Sequence, residues 1–264
     1  MASAAGIPAN LFAEKVTSVT HWDEFLFSFR MTRPPSFRFN AGEFVMLRLM
    51  NGERPLLRAY SMASPTWDDE LEFLSIKVAD GPLTSRLQKI VPGDQVLLGK
   101  KPTGTLVADA LLPGKRLFML ATGTGLAPFM SVAREPDIYE RFEQLIVVHS
   151  VRFVIDLAYR EMLEARLADD PLISEQAARQ FHYVPTVTRD EFRNKGRIGD
   201  LIESGRLFEG VDGPARFDPE TDRVMMCGSM AMIKDFAARF KALGFAEGAH
   251  SHPGHFVIER AFVD

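Results

Sequence analysis

The sequence predicts an all-β domain over residues 1–110 followed by an α/β domain over residues 111–264, and three observations carry that prediction. Short apolar runs separated by turn-rich pieces fill the first part. After Pro113 and Gly114 the pattern changes to apolar strands alternating with helical stretches. A glycine-rich segment, "LATGTGLAP", then stands directly between one such strand and its helix.

In the first part, "EFLFSFRM" places Phe25, Phe27, Phe29 and Met31 on one face at period two, the signature of a half-buried strand. "EFVMLRLM" and "LEFLSIKV" read as similar short strands, divided by "RPPSFRFNAGE" and "SPTWDDE". "VPGDQVLLG" sets a Pro-Gly-Asp turn before another strand. A helix is expected here only at "LTSRLQKI", where Leu83, Leu87 and Ile90 share a face. Strands this short and this closely spaced predict a barrel or a sandwich.

In the second part, "RLFMLA" leads into "GLAPFMSVARE", and "FEQLIVVHS" into the helical "VIDLAYREMLEARL". "FHYVPTV" precedes "IGDLIES", "DRVMMCG" precedes "MAMIKDFAARFKALGF", and "GHFVIERAFVD" is a last strand. Continuously apolar strands between helices predict a parallel sheet covered on both faces.

Composition narrows the function. With 264 residues, a formal net charge of −4 and one cysteine, Cys227, the chain lacks the basic footprint of a nucleic-acid binder. It likewise has too few cysteines for a disulfide framework or a four-cysteine metal site. No apolar run reaches the length of a membrane span, and the start does not read as a signal peptide. A reducing cytoplasmic setting is the expectation. His250, His252 and His255 in "AHSHPGH" are interrupted by Pro-Gly, lack a cysteine partner nearby, and read as a loop rather than a zinc site.

Gly123 and Gly125 lie between strand and helix, where backbone N–H groups can approach a pyrophosphate at the positive helix end. The pattern G-x-G-x-x-P departs from the usual dinucleotide fingerprint, and an ordinary tight turn needs the same glycines. The next strand ends in "HSVR", with Ser150 and Arg152 where an NAD-specific site places an acid. A hydroxyl and a guanidinium suit a 2′-phosphate instead. Arg189 in "TVTRD" and Arg197 in "GRIGD" also follow strand ends. Any one arginine is ordinarily a solvated charge, but three at one sheet edge can converge on a phosphate. Cys227 in "MMCGSM" ends another strand, although a free cysteine is commonly just a small core residue. In the β-domain, "RPLLRAYSMASP" brings together Arg58, Tyr60 and Ser61, a phosphate ligand, an aromatic plate and a hydroxyl. In "DGPLTSRL", Thr84 and Ser85 are expected to cap a short helix.

A β-domain bearing R-x-Y-S and G-x-x-T-S, then an α/β domain bearing G-T-G-x-x-P and C-G, resembles the ferredoxin–NADP⁺ reductase family over nearly the whole chain. "RAYS", "ATGTGLAPF", "GRI" and "ERAFV" resemble its bacterial ferredoxin/flavodoxin members most. The resemblance implies an antiparallel β-barrel that binds FAD and a parallel-sheet domain that binds NADP, with the tail returning to the flavin. Arg58 would hold the FAD pyrophosphate, Tyr60 would stack on the ring, and Ser61 would bond near N5, flanked by Ala59. Ile76, Lys77, Pro82, Leu83, Thr84 and Ser85 would complete the FAD cradle, and Thr124 would lie between the two cofactors. Ala261, Phe262 and Val263 would close on FAD; a small Ala261 where plant-type members carry a terminal aromatic argues against a ring that swings aside. Gly123, Gly125, Val151, Arg152, Thr188, Arg189, Arg197, Gly228, Ser229, Met230 and Asp235 would bind NADP. Ser61, Cys227 and Glu259 would be the catalytic set.

The implied reaction passes hydride from NADPH to the flavin and single electrons on to ferredoxin or flavodoxin, in a monomer. An acidic carrier calls for a basic patch, for which Arg30, Arg33, Arg38, Lys77 and Arg86 are candidates. The alternatives are the reductase component of an oxygenase with a separate iron–sulfur partner, and a noncatalytic NADP(H)-sensing flavoprotein.

Overall fold

A computed structural model of the chain describes residues 7, 9–51, 54–78, 81 and 83–260. Pro82, Ala261, Phe262 and Val263, all expected at the FAD site, lie outside the described residues.

The N-terminal part is a six-stranded antiparallel sheet built from β1 (Leu11–His21), β2 (Leu26–Thr32), β3 (Phe44–Asn51), β4 (Arg54–Ser61), β5 (Glu70–Ile76) and β6 (Gln95–Gly99). Its order, β4-β3-β6-β1-β2-β5, leaves β4 and β5 at opposite edges. The sheet curls until those edges nearly meet. Met62 bridges Phe73, Ala63 N donates to Glu72 O at 2.8 Å, and the Tyr60 hydroxyl lies 3.1 Å from Ser75 Oγ. Closure of this kind removes exposed strand edges. Phe27, Phe29, Met31, Phe73, Val45 and Leu98 fill the interior.

Two expectations fail here. Phe25 precedes β2 and is 59% exposed, because Asp23 Oδ1 accepts from Leu26 N (2.7 Å) and turns the chain before the strand begins. The expected helix is one turn, α1 (Thr84–Leu87), and its N-cap is Leu83, with no side-chain cap. Thr84 Oγ1 reaches back to Val78 O at 3.4 Å instead. Strand β1 was not anticipated, since its burial alternates poorly: Leu11 and Val16 are its only fully buried residues.

The C-terminal part is a five-stranded parallel sheet of β7 (Arg116–Thr122), β8 (Gln144–Val151), β9 (Phe181–Val187), β10 (Asp222–Gly228) and β11 (Phe256–Arg260), ordered β11-β10-β7-β8-β9. Helices α2 (Ala127–Val132), α3 (Pro136–Arg141), α4 (Arg160–Glu164), α5 (Ser174–Gln180), α6 (Ile198–Glu203) and α7 (Met230–Ala242) flank it. The helix expected from "VIDLAYREMLEARL" is broken. Tyr159, Arg166 and Leu167 have φ of 59°, 51° and 53°, so only α4 survives between left-handed residues. Buried Tyr159 and Leu167 account for the break, because continuing the helix would pull both out of the core.

One face of the parallel sheet packs with α6 and α7; the other meets the barrel through a cluster that joins Ala121, Met225 and Cys227 to Ala63, Leu74 and Leu106. Polar links cross the same junction. Glu135 accepts from Thr66 N (2.5 Å) and Thr66 Oγ1 (2.9 Å), Trp67 Nε1 donates to Arg134 O (3.0 Å), and the Tyr159 hydroxyl donates to Glu72 (2.7 Å). Tyr159 also packs on Trp22 with ring centroids 4.8 Å apart. None of the helices among the described residues is long and apolar enough to cross a membrane.

Candidate active site between barrel and sheet

Parallel pairing sets one row of residues across the carboxyl edge of the sheet. Glu259 is paired with Cys227, Cys227 with Ala121, Ala121 with His149, and His149 with Pro185. Aligned residues of a parallel sheet share a face, and this row sits on the face that meets the barrel.

Cys227 is buried, and burial followed by the Glu259 carboxylate raises its thiol well above the ordinary range. It is therefore a neutral, small, polarisable group and not a thiolate nucleophile. Glu259 is held from the segment that follows β6. Its Oε2 accepts from Thr105 N (3.0 Å), while Thr105 Oγ1 donates to Ile258 O (2.6 Å). The same segment is locked to the barrel: Thr103 pairs with Phe44, and Phe44 pairs with Ser61 in β3–β4. Gly104, at φ +147°, sits where a Cβ would lie 3.3 Å from Glu259 Oε2 and 3.4 Å from the Phe44 ring. A short ladder thus connects Ser61 of the barrel to Glu259 of the sheet. His250, from the histidine-rich loop, donates from Nε2 to the Gly104 carbonyl, and His255 Nδ1 accepts from Ala246 N at 3.0 Å.

The glycines have distinct jobs. Gly125 allows the loop to lie against β10, since a Cβ there would fall 2.2 Å from Cys227 O. Gly123 takes φ +54° and has no heavy atom within 4 Å of its Cβ position, so it is open on that side. Gly228, at φ +151°, lets Thr122 Oγ1 accept from Ser229 N at 2.8 Å. Ser229 caps α7 by accepting from Met232 N, and Met230 is that helix's first residue. Thr124 lies between the two glycines in a 3-10 turn, Gly123–Leu126, whose first N–H groups lack intrahelical acceptors. Asp235 is exposed on α7 and paired with Arg239 at 3.2 Å.

Farther along the edge, Arg189 N donates to Arg152 O (2.8 Å) and Thr188 N to Val151 O (3.1 Å), joining the ends of β8 and β9. Gly196 N donates to Val187 O (2.9 Å), which brings Arg197 back beside β9 at the start of α6. Arg152, Arg189 and Arg197 are exposed, and none has an ion-pair partner among the described residues; Arg189 only lies over the Phe153 ring, 5.7 Å from its centroid.

On the barrel, Arg58 and Ala59 are exposed on edge strand β4, and among the described residues the Arg58 guanidinium bonds only to Leu57 O (2.8 Å). Burial raises the Tyr60 phenol above its ordinary range, with partial relief from Ser75 and Arg58, and the ring stands edge-on to Phe73. Lys77, next to Ile76, spends its ammonium on Asp23 O at 2.5 Å. Leu83 is buried, whereas Thr84 and Ser85 are half-exposed.

The expected basic patch is largely absorbed by structure. Arg30 is ion-paired with Asp68, Glu70 and Glu72, and Arg33 bonds to the carbonyls of Phe37, Thr66 and Asp68. With Lys77 also engaged, only Arg38 and Arg86 of the five remain exposed.

The hold of Thr105 on Glu259 and the placement of His149 in the row beside Ala121 were not signalled by the sequence. A threonine after "KPTG" and a histidine inside an apolar strand carry no local pattern; both depend on long-range pairing.

The geometry finds its counterpart among known proteins. Residues 12–107 match an oxidoreductase FAD-binding domain, and residues 119–238 an oxidoreductase NAD-binding domain. The chain is 55% identical over 252 residues to a flavodoxin/ferredoxin–NADP reductase of Rhodobacter capsulatus, covering 95% of this chain and 93% of that one. The chain belongs to the ferredoxin/flavodoxin–NADP⁺ reductase family. A ferredoxin–NADP reductase of Pseudomonas aeruginosa is 49% identical over 97% of this chain and 99% of its own. Among solved structures, a ferredoxin NADP⁺ reductase from Neisseria gonorrhoeae with bound FAD and NADP matches with a TM-score of 0.86 at 32% identity, over 96% of this chain and 100% of that one.

Proposed function

We propose that the chain catalyses electron exchange between NADP(H) and ferredoxin or flavodoxin through FAD, with residues 1–110 binding FAD and residues 111–264 binding NADP. The observation that carries this reading is the ladder from Ser61 through Phe44, Thr103 and Thr105 to Glu259, which ties the barrel strand that bears Ser61 to the sheet strand that bears Glu259 and pairs with Cys227. FAD, when bound, supplies the conversion between two-electron exchange with NADP(H) and one-electron exchange with the carrier.

The residues present fit such a group. Arg58 offers free donors on an exposed strand edge for a pyrophosphate, and Tyr60 offers a ring fixed at its hydroxyl end by Ser75. Ala59 on β4, Ile76 at the end of β5 and Leu83, Thr84 and Ser85 at the start of α1 would complete the FAD cradle, with Lys77 serving it through its backbone because its ammonium is engaged. Ser61 gives a hydroxyl at the end of β4. Glu259 orients and polarises from the opposite side, and its fixed rotamer means that no reorganisation is needed when substrate arrives. Cys227 remains a thiol and gives a nicotinamide ring a compact, uncharged wall.

For the nucleotide, Gly123, Thr124, Gly125, Gly228, Ser229 and Met230 bring two strand ends close to the dinucleotide. Val151 and Thr188 fix the base of the outer rim, from which Arg152, Arg189 and Arg197 reach a 2′-phosphate. Exposed guanidiniums without carboxylate partners are available to a phosphate at no cost in broken ion pairs. Asp235, already paired with Arg239, contributes a hydrogen-bond acceptor at the adenosine end. The protein acts as a cytoplasmic monomer, with Arg38 and Arg86 among the charges that meet an acidic carrier.

The test is a titration. Purified protein should be yellow, bleach anaerobically with NADPH more readily than with NADH, and then reduce added flavodoxin or ferredoxin. Bleaching without carrier reduction, or equal bleaching by both nucleotides, would overturn this reading.

A further inference from the structure

His149 lies within the apolar strand β8 and is no member of the proposed flavin or nucleotide site, yet its side chain is fully engaged. Its Nε2 is 3.0 Å from Gly123 O and its Nδ1 is 3.2 Å from the Tyr183 hydroxyl. The histidine is 1% exposed. Gly123 O is an acceptor only, so Nε2 carries the proton and donates to it; Nδ1 is then the acceptor, and Tyr183 donates to Nδ1. The hydroxyl of Tyr183 thereby fixes the tautomer that Gly123 requires.

The consequence lies in the peptide that follows. The Gly123 carbonyl and the Thr124 N–H belong to one planar trans unit and point in opposite directions. Drawing the carbonyl down toward His149 sends the Thr124 N–H outward from the sheet edge. Gly123 can comply because it sits at φ +54° with nothing within 4 Å on its open side. Thr124 N is also one of the first-turn donors that the short 3-10 segment leaves without an acceptor.

We infer that His149 is a positioning residue for the nucleotide: through Gly123 O it aims the Thr124 N–H at the dinucleotide, and Tyr183 holds His149 in the tautomer that does so. This rests on the placement of NADP at the Gly123–Gly125 edge. His149 is no acid or base in the reaction, since burial, only partly offset by the Gly123 bond, lowers its pKa to about 4 and keeps it neutral at working pH.

The experiment uses the FAD-loaded full chain. His149→Met removes the donor but keeps an apolar side chain of similar reach; His149→Gln places an amide N–H near the original Nε2. NADP⁺ and NAD⁺ dissociation constants are measured by calorimetry, flavin content by absorbance, and the Thr124 amide by NMR titration. His149→Met should weaken both nucleotides by a similar factor of about tenfold, the loss of one well-aligned hydrogen bond. Flavin content should not change. His149→Gln should recover to within about threefold, and Tyr183→Phe should give a smaller loss in the same direction. A His149→Met protein with unaltered nucleotide affinity and a Thr124 amide that still shifts on NADP⁺ addition would overturn the positioning role alone. A wild-type Thr124 amide that does not respond to saturating NADP⁺ would instead overturn the nucleotide placement itself.

Discussion

At the inner half of the parallel sheet's carboxyl edge, Gly125 lies against the Cys227 carbonyl, Thr105 grips Glu259, and His149 is buried beneath Gly123. At the outer half, Arg152, Arg189 and Arg197 stand in solvent, with no carboxylate among the described residues to hold them. The inner half is shaped by steric fit and buried hydrogen bonds, the outer half by charge alone. The difference teaches that two halves of one sheet edge can be built on different physics; on the proposed placement of NADP, recognition of the common dinucleotide and of the 2′-phosphate should then separate under mutation. One should fail with folding, the other without it.

The largest effect should come from Gly125→Val. Its side chain would collide with backbone of β10, which cannot move aside as a flexible side chain can, so a loss of at least about 3 kcal/mol is expected in urea unfolding. A variant as stable as the wild type would show that the inner half is not packed as tightly as the geometry demands.

Close behind is a pH effect at His149. Its folded-state pKa of about 4 lies below its ordinary value of 6.5, so the folded form prefers the neutral ring. The stabilisation is fully present above about pH 6.5 and is lost as the pH falls through the folded value near 4, by about 3 kcal/mol. Unfolding midpoints followed from pH 7.5 to 4 should show this slope in the wild type and a flatter one in His149→Met. Parallel slopes would assign the acid lability to other groups.

At the outer rim, Arg152→Ala and Arg197→Ala should leave stability within about 0.5 kcal/mol of wild type, as for exposed substitutions elsewhere. Each should raise KM for NADPH by about 10- to 100-fold, the loss of a charge-assisted hydrogen bond, while KM for NADH stays put. Equal effects on both nucleotides would erase the distinction between the halves. The smallest effect is the dependence on salt. Between low and moderate ionic strength, NADPH affinity should weaken by several-fold and NADH affinity by much less, because only the exposed rim is screened. Steady-state KM values at two salt concentrations would read it.

How legible was this in the sequence? The strand runs at "RLFMLA", "FEQLIVVHS" and "DRVMMCG" were readable because both faces of a central parallel strand are buried, which forces continuous apolarity. The placement of Gly123 and Gly125 after β7, and of Arg152 at the end of β8, was readable because glycine turns and strand ends are set by local residue type. Strand β1 was harder, since it is mostly half-exposed and alternates weakly. The break at Tyr159 was hidden because "VIDLAYREMLEARL" has good helix formers throughout, and only the docking of Tyr159 against Trp22 and Glu72 makes the left-handed turn worth its strain.

The basic patch marks the same boundary between sequence and structure. Arg30 and Arg33 look alike in sequence to Arg38, yet Arg30 is consumed by Asp68, Glu70 and Glu72, 38 to 42 residues away, and Arg33 by carbonyls that include those of Thr66 and Asp68, 33 and 35 residues away. Period, residue type and turn chemistry, all local properties, determined the two fold classes, the flavin-side and nucleotide-side motifs and the family. Tertiary structure alone decided that Arg30 is consumed by ion pairs, that Thr105 holds Glu259, and that His149 stands beneath Gly123. Each of these depends on contacts between segments far apart in the chain, and such contacts leave no periodic trace in either partner.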